Sequence, residues 1–268
     1  TQADITDSAL ALEKNLTIRY GKVEFRNVCF KYQQDGNEYA LKNINLIAQP
    51  GQTTAIIGAT GSSKSTLVEL IPRLYDVTQG SILIDGVDVR DYTLRNLRTP
   101  VSLVLQQNEL FSGTIRQNLK WGKPDATDEE IIAAAKDAAA HDFIQSFPEG
   151  YETVLGQGGV NLSGGQKQRL CIARALLRKP IILILDDSTS AVDSVTEETI
   201  RKSLDNHFPD TTIFIIAQRI SSVQTARQIV LLDNGEIVAS GTHEQLMKDS
   251  SIYREIYHSQ QLNGATSV

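Results

Sequence analysis

Residues 58–65 read Gly-Ala-Thr-Gly-Ser-Ser-Lys-Ser, one residue away from the phosphate-binding pattern G-x-x-x-x-G-K-S/T. The pattern asks for a second glycine just before the lysine, and this chain has Ser63 there. The flanks constrain the fold as much as the loop does. Thr53 to Ile57 (TTAII) reads as a short buried strand, and Thr66 to Leu74 as a helix. Strand, lysine-bearing Gly/Ser loop and helix in that order form the context in which such a loop wraps phosphate. Backbone N–H groups of Gly58, Thr60, Gly61, Ser62 and Ser63 would cradle the anion at the start of a helix that Thr66 continues, where the dipole favours negative charge. Lys64 would reach β/γ oxygens and the Ser65 hydroxyl a magnesium ion. A plain Gly/Ser surface loop is the competing explanation, and it requires neither the lysine nor the flanking elements.

A second run supports the same fold. Pro180-Ile-Ile-Leu-Ile-Leu-Asp-Asp187 is apolar up to two carboxylates, as expected of a buried parallel strand that delivers an acid at its C-terminal edge. Asp186 would then hold the magnesium through water. Between the two runs lies Leu162-Ser163-Gly164-Gly165-Gln166, followed by Lys167-Gln-Arg169 and a helical stretch from Leu170 to Arg178. With all three present, roughly residues 20 to 260 resemble the nucleotide-binding domain of an ATP-binding cassette (ABC) transporter. The resemblance implies an α/β fold: a P-loop NTPase core with an antiparallel β subdomain and an α-helical signature subdomain at about 110–177. ATP and Mg²⁺ are the implied cofactors.

Composition agrees with that class. A chain of 268 residues can bury one large core or a core plus a subdomain, and 41% hydrophobic with 22% charged residues is ordinary for a globular protein. Lys+Arg 26 against Asp+Glu 32 gives a net charge of −6, so no basic field invites nucleic acid. Cys29 and Cys171 sit far apart in apolar runs and read as small buried hydrophobes. No uninterrupted apolar stretch has the length of a membrane span. Residues 1–20 read as a linker remnant from a membrane domain outside this chain, 21–260 as the nucleotide-binding domain and 261–268 as a tail. The resemblance places the domain at the cytoplasmic face of the cell membrane, as part of a transporter.

Along the chain, Val23–Phe25 and Val28–Tyr32 alternate, with a phase slip at Arg26–Asn27 that predicts a bulge. Asp35–Glu38 reads as a turn and Ala40–Ala48 as a continuation of the sheet. Strands are expected at 81–85, 101–106, 212–217 and 228–232, with Asp233-Asn-Gly235 as a hairpin turn into 236–239. Glu129 to Phe147 reads as one helix capped by Asp128.

The resemblance assigns further roles. Tyr32 matches the aromatic that stacks on adenine. Gln106, closing VSLVLQ, matches the glutamine that touches magnesium and relays contact with the membrane domain. Leu110-Phe-Ser-Gly-Thr-Ile115 resembles a stretch of exporters rather than importers, and Ser190-Ala-Val-Asp193 the loop that crosses the dimer interface. Thr153-Val-Leu-Gly-Gln157 lacks the acidic-basic pair that exporters carry beside the signature. Three departures fall where chemistry would occur. Asp187 replaces the glutamate that polarises the attacking water, and a base must come within about 2.6–3.2 Å of its proton or reach it through water. Gln218 replaces the histidine that contacts the γ-phosphate, and its amide cannot carry a proton. Ser63 replaces the loop glycine. The four histidines (His141, His207, His243, His258) lie far from these motifs in sequence and read as surface or packing residues.

These departures point to a site that binds ATP and hydrolyses it poorly, beside an intact signature, Leu162 to Gln166, that acts in trans on a partner's ATP. The expected partner is a second nucleotide-binding domain from a different half-transporter, as in heterodimeric bacterial multidrug-type exporters. Two alternatives are a competent homodimeric exporter ATPase and a soluble ABC-type nucleotide-gated binding module.

Overall fold

The computed structural model describes residues 5–33, 38–187 and 192–265, with side chains up to residue 261. Its elements, in chain order, begin with α1 (Ala9–Lys14), β1 (Val23–Phe30), β2 (Leu41–Ala48), β3 (Thr53–Ile57), α2 (Lys64–Glu69), β4 (Gln79–Ile84) and β5 (Val87–Asp88). They continue with α3 (Leu94–Arg98), β6 (Val101–Val104), β7 (Gly113–Thr114), α4 (Ile115–Lys120), α5 (Asp128–Asp137), α6 (His141–Gln145), β8 (Val154–Leu155) and α7 (Gly164–Leu176). The C-terminal part adds β9 (Ile182–Asp186), α8 (Ser194–His207), β10 (Thr212–Ile216), β11 (Gln228–Asp233), β12 (Glu236–Gly241), α9 (His243–Asp249) and α10 (Ser251–Ala265).

The strands form a six-stranded sheet in the order β12-β11-β3-β10-β9-β6, a four-stranded sheet in the order β2-β1-β4-β5, and the small β7–β8 pair. In the large sheet β11, β3, β10, β9 and β6 run parallel and β12 closes the edge antiparallel. All five residues of β9 are buried, which is why that segment reads as a continuous apolar run rather than an alternation. The four-stranded sheet shows the alternation of a half-buried strand, and its bulge falls at the predicted slip: register shifts separate Phe25 from Val28 and Arg26 from Cys29, with Asn27 at φ 48°. Asn234 and Gly235, both at positive φ, turn β11 into β12. The turn expected at Asp35–Glu38 lies largely outside the described residues.

Three expectations need correction. The stretch expected as one helix from Glu129 to Phe147 is two, and Thr127 rather than Asp128 caps the first, through a capping box with Glu130. The break falls at Ala138–Ala140, with Ala139 at φ 52°. Alanine favours helix, so propensity does not end α5; burial of Ala138 and Ala140 and the Arg169 guanidinium donating to the Ala139 carbonyl at 2.8 Å do. The helix expected at Thr66–Leu74 starts at Lys64 and ends at Glu69. Pro72 has no N–H for a continuing ladder, and Arg73 turns left-handed at φ 51°. Of the cysteines, Cys171 is buried but Cys29 only half-buried, its sulfur accepting from the Asn43 N–H at 3.2 Å.

The N-terminal segment lies along the body of the domain. Asp7 Oδ1 accepts from the Leu94 N–H at 2.7 Å, and Asn96 Nδ2 donates to Asn15 Oδ1 at 2.8 Å and to the Leu16 carbonyl at 2.9 Å. The apolar cores divide by layer. One fills the space between the two sheets, one joins the helices of the signature region to β9 and β6, and one sits beneath the loop that follows β10.

Candidate active site

Parallel order brings four loops to one edge. β3 delivers residues 58–63, β9 delivers Asp186 and Asp187, and β10, hydrogen-bonded between them, delivers Gln218; β6, beyond β9, delivers Gln106. Thr60, Gly61, Ser63, Lys64, Ser65, Thr66, Gln106, Asp186, Asp187 and Gln218 line one cavity of about 310 Å³. Sheet order alone therefore gathers residues spread over almost 160 positions of sequence.

The loop is built around two backbone demands. A Cβ on Gly58 would meet the Leu232 carbonyl oxygen at 2.1 Å, so the close approach of β11 requires glycine. Ser63 sits at φ 70°, ψ 28°, the left-handed region that glycine occupies without cost. For serine that conformation costs about 1–2 kcal/mol, and because it belongs to the folded loop the cost falls on stability. The Ser63 side chain makes no capping bond to α2. The Lys64 ammonium donates to the Gly58 and Ala59 carbonyls at 2.9 and 2.8 Å and lies 3.4 Å from the Ser62 hydroxyl. Burial lowers its pKa, opposed by the neighbouring Asp187 and Asp186 carboxylates.

The carboxylates are held tightly. Burial lifts the Asp186 carboxyl, the Ser65 hydroxyl donates to it, and the charge of Asp187 lifts it further. Asp187 Oδ2 accepts from Gln218 Nε2 at 2.6 Å and from Gln106 Nε2 at 3.4 Å. Its backbone is left-handed at φ 44°, fixed by its N–H donating to the Ile216 carbonyl at 3.1 Å and its carbonyl accepting from Gln168 Nε2 at 3.3 Å. A strained residue bound on both sides is held by its surroundings rather than by its own preference. Glu69, on α2, also has its carboxyl raised, first by burial and then by Asp186. The Asp186 and Asp187 carboxyls beside the Lys64 ammonium, with the Ser65 hydroxyl, form an oxygen-rich set that fits a hard divalent cation.

Tyr32 is 58% exposed and leaves the end of β1 toward the loop, its hydroxyl 2.7 Å from Thr66 Oγ1. With Tyr39, Lys42, Gly61, Ser63 and Asn234 it lines an open groove of about 880 Å³ continuous with the loop. The Tyr32 ring also packs edge-on against Phe30 and Tyr75, with centroids 4.9 and 5.4 Å away.

The signature belongs to neither cavity. Leu162 is buried while Ser163 and Gly164 are exposed at the start of α7. Ser163 caps α7 reciprocally with Gln166: the Gln166 N–H donates to Ser163 Oγ at 3.2 Å, and the Ser163 N–H to Gln166 Oε1 at 2.9 Å. Ser163 and Gly164 leave the start of α7 open to solvent, where first-turn amides without an intrahelical partner suit an anion. Asp193 caps α8, accepting from the Thr196 N–H at 2.9 Å. Ser190 and Ala191, the first half of the expected interface loop, lie outside the described residues. The histidines stay out of the site: His141 meets Tyr151, His207 meets Asp137 and His243 meets Tyr253.

Two contributors were not legible in sequence. Gln168 is 1% exposed and ties α7 to the Asp187 backbone. Glu69 faces Asp186 from the far end of α2. Neither carries a local signal, because each acts on a residue distant in sequence, Gln168 by a hydrogen bond and Glu69 by its charge.

The ABC transporter family profile matches residues 41–190. The chain is 53% identical over 243 residues to the multidrug export ATP-binding/permease protein YgaD of Bacillus subtilis (strain 168), covering 91% of this chain and 42% of that one. A Staphylococcus aureus (strain NCTC 8325 / PS 47) protein of the same description is 47% identical over 247 residues, 92% of this chain and 43% of the other. The chain thus spans less than half the length of these relatives. Among solved structures, that of a bacterial Atm1-family ABC exporter with ATP bound superposes with a TM-score of 0.92 at 36% identity, over 97% of this chain and 45% of that one. The family match spans more than half of the chain and the relatives nearly all of it, and the chain belongs to the ABC transporter family as a nucleotide-binding domain.

Proposed function

We propose that this chain is the ATP-binding domain of one half of a heterodimeric exporter, with residues 21–260 as the domain and 1–20 as the linker from its membrane domain. It holds MgATP at its own loop, hydrolyses it slowly there, and lends Ser163 to Gln166 to a second site built on the loop of a different half-transporter. Tyr32 stacks on adenine, and Lys64 with the loop amides binds the phosphates. Ser65, Asp186 and Gln106 would hold magnesium, which when bound offsets phosphate charge.

The observation that carries the slow-site reading is the Asp187 carboxylate, gripped by Gln218 at 2.6 Å with Gln106 at 3.4 Å. An aspartate is one methylene shorter than the glutamate of active relatives, and a misplacement of about 1 Å costs on the order of a hundredfold in rate. Its neighbour Gln218 is a neutral amide that cannot accept and pass on a proton. Both losses fall on the same water.

A groove of about 400 Å³ between β6 and α7 supports a membrane-domain partner. Leu105, Phe111 and Trp121 line it while 46%, 44% and 66% exposed, an apolar surface suited to a cytoplasmic segment of that domain. Among the described residues no helix is long and apolar enough to cross a membrane. The proposed place of the domain is accordingly the cytoplasmic face, carried there by the membrane domain.

Steady-state ATPase of the chain alone and mixed with its partner tests this. Turnover is expected in the mixture and close to background alone; brisk turnover alone sinks the slow-site reading in favour of a competent homodimer. Asp187→Glu by itself should raise the rate of this site less than about tenfold, because Gln218 remains.

A further inference from the structure

The third apolar cluster lies directly beneath the loop that carries Gln218. Ala217 and Ile220, on either side of that loop, are buried there with Ala55 and Ile57 of β3, Leu246 of α9 and Tyr253 of α10. Helix α10 is fixed to this platform. Tyr253 is fully buried with its hydroxyl 2.7 Å from His243 Nδ1, and Arg254 donates to the Met247 and Lys248 carbonyls at 3.0 and 2.7 Å. Two turns further on, one side chain reaches the loop. Gln260 Nε2 donates to the Gln218 carbonyl at 2.8 Å, and Gln260 Oε1 accepts from the Ile220 N–H at 2.9 Å.

We infer that Gln260 is a positioning residue for Gln218, through which the C-terminal helix sets the γ-phosphate side of the nucleotide site. A single planar carboxamide satisfies one acceptor and one donor two residues apart, which fixes the backbone of the loop between them. A carboxylate in its place could accept from Ile220 but not donate to Gln218, and an alkyl chain could do neither. The preceding side of the loop is already tied, the Ala217 N–H donating to the Ile56 carbonyl at 3.2 Å. With both ends held, the Gln218 side chain is directed at Asp187 Oδ2. Gln260 does not itself line the cavity and acts through the backbone of the loop that carries Gln218.

The inference rests on the reading that Gln218 faces the γ-phosphate, so the informative quantity is discrimination between ATP and ADP. Affinities of the full chain for ATP and ADP with magnesium are measured by calorimetry for the native protein, Gln260→Met, Gln260→Ala, Gln218→Ala and the Gln218→Ala/Gln260→Met double variant. Methionine matches glutamine in length and leaves the packing in place. Both Gln260 variants are expected to weaken ATP by about threefold to tenfold, the range of one or two lost hydrogen bonds, with ADP unchanged within about twofold. Gln218→Ala should lower the same ratio, and the double variant should add nothing to it. An unchanged ratio in the Gln260 variants beside a lowered one in Gln218→Ala overturns the positioning role and leaves the site reading intact. Equal losses for both nucleotides, or full additivity in the double variant, overturn it as well. An unchanged ratio in Gln218→Ala removes the site reading and this inference with it.

Discussion

The phosphate loop and the signature are both short polar segments beside a helix, yet they are built in opposite ways. The site around the loop is assembled from four strand ends, carries two left-handed non-glycine residues (Ser63 and Asp187), and depends on side chains that meet only after the sheet has formed. The signature is local. Ser163 and Gln166 satisfy each other three residues apart, Leu162 anchors the turn, and the exposed amides require no distant partner. A self-contained element withstands changes elsewhere, whereas a gathered site is sensitive to one methylene at one position. On the proposed reading this is how one chain can hold a slow site of its own and still serve another.

The largest expected effect tests whether the two regions are separable. Ser163→Ala, measured in the mixture with the partner, should reduce ATPase by roughly a hundredfold, since on the proposed reading it removes a donor to developing phosphate charge. The chain's own ATP affinity should stay within about twofold. A matching loss of that affinity would erase the distinction between the two halves.

Ser63→Gly probes the strain in the loop. Relief of the left-handed serine, partly offset by the greater freedom of glycine in the unfolded chain, should leave a net gain of about 1 kcal/mol. For a domain of this size that corresponds to roughly 2–4 °C in Tm by calorimetry. A lower Tm would mean that the Ser63 side chain contributes a contact worth more than the strain.

The smallest effect concerns Asp187. Burial raises its carboxyl above the usual range, with the Gln218 hydrogen bond and Lys64 pulling it back. The folded chain therefore binds this proton more tightly than the unfolded chain does. Its contribution favours folding most below the ordinary carboxylate pKa and is lost as pH rises through the raised value. Asp187→Asn, which can still accept from Gln218, should raise Tm in chelator-containing buffer by about 1–3 °C near pH 7. That gain should shrink as the pH is lowered toward about 4. A gain that grew on acidification would reverse the assigned direction.

Much of this protein is legible in order along the chain. The strand before the phosphate loop, the buried run ending in Asp186 and Asp187, the Asn-Gly hairpin and the bulge near Asn27 each follow from a local pattern that the folded structure keeps. Where reading failed, a contact distant in sequence overrode a local preference. The alanine-rich segment 133–140 has every propensity to remain helical, but Arg169 and the packing of α7 break it. Gln168, Glu69 and Gln260 look like ordinary helix residues, and no periodicity distinguishes a glutamine that holds a loop from one that faces water.

The division has a physical cause. Backbone geometry, burial period and capping chemistry act over a few residues, so the sequence alone determined the strand–loop–helix unit, the signature cap and the identities of the departing residues Ser63, Asp187 and Gln218. Only the tertiary structure decided what those departures face. The strand order β3-β10-β9 places Gln218 against Asp187, and the platform beneath the loop brings Gln260 to its backbone. Contacts of that kind depend on how sheets and helices pack, a property of the whole chain.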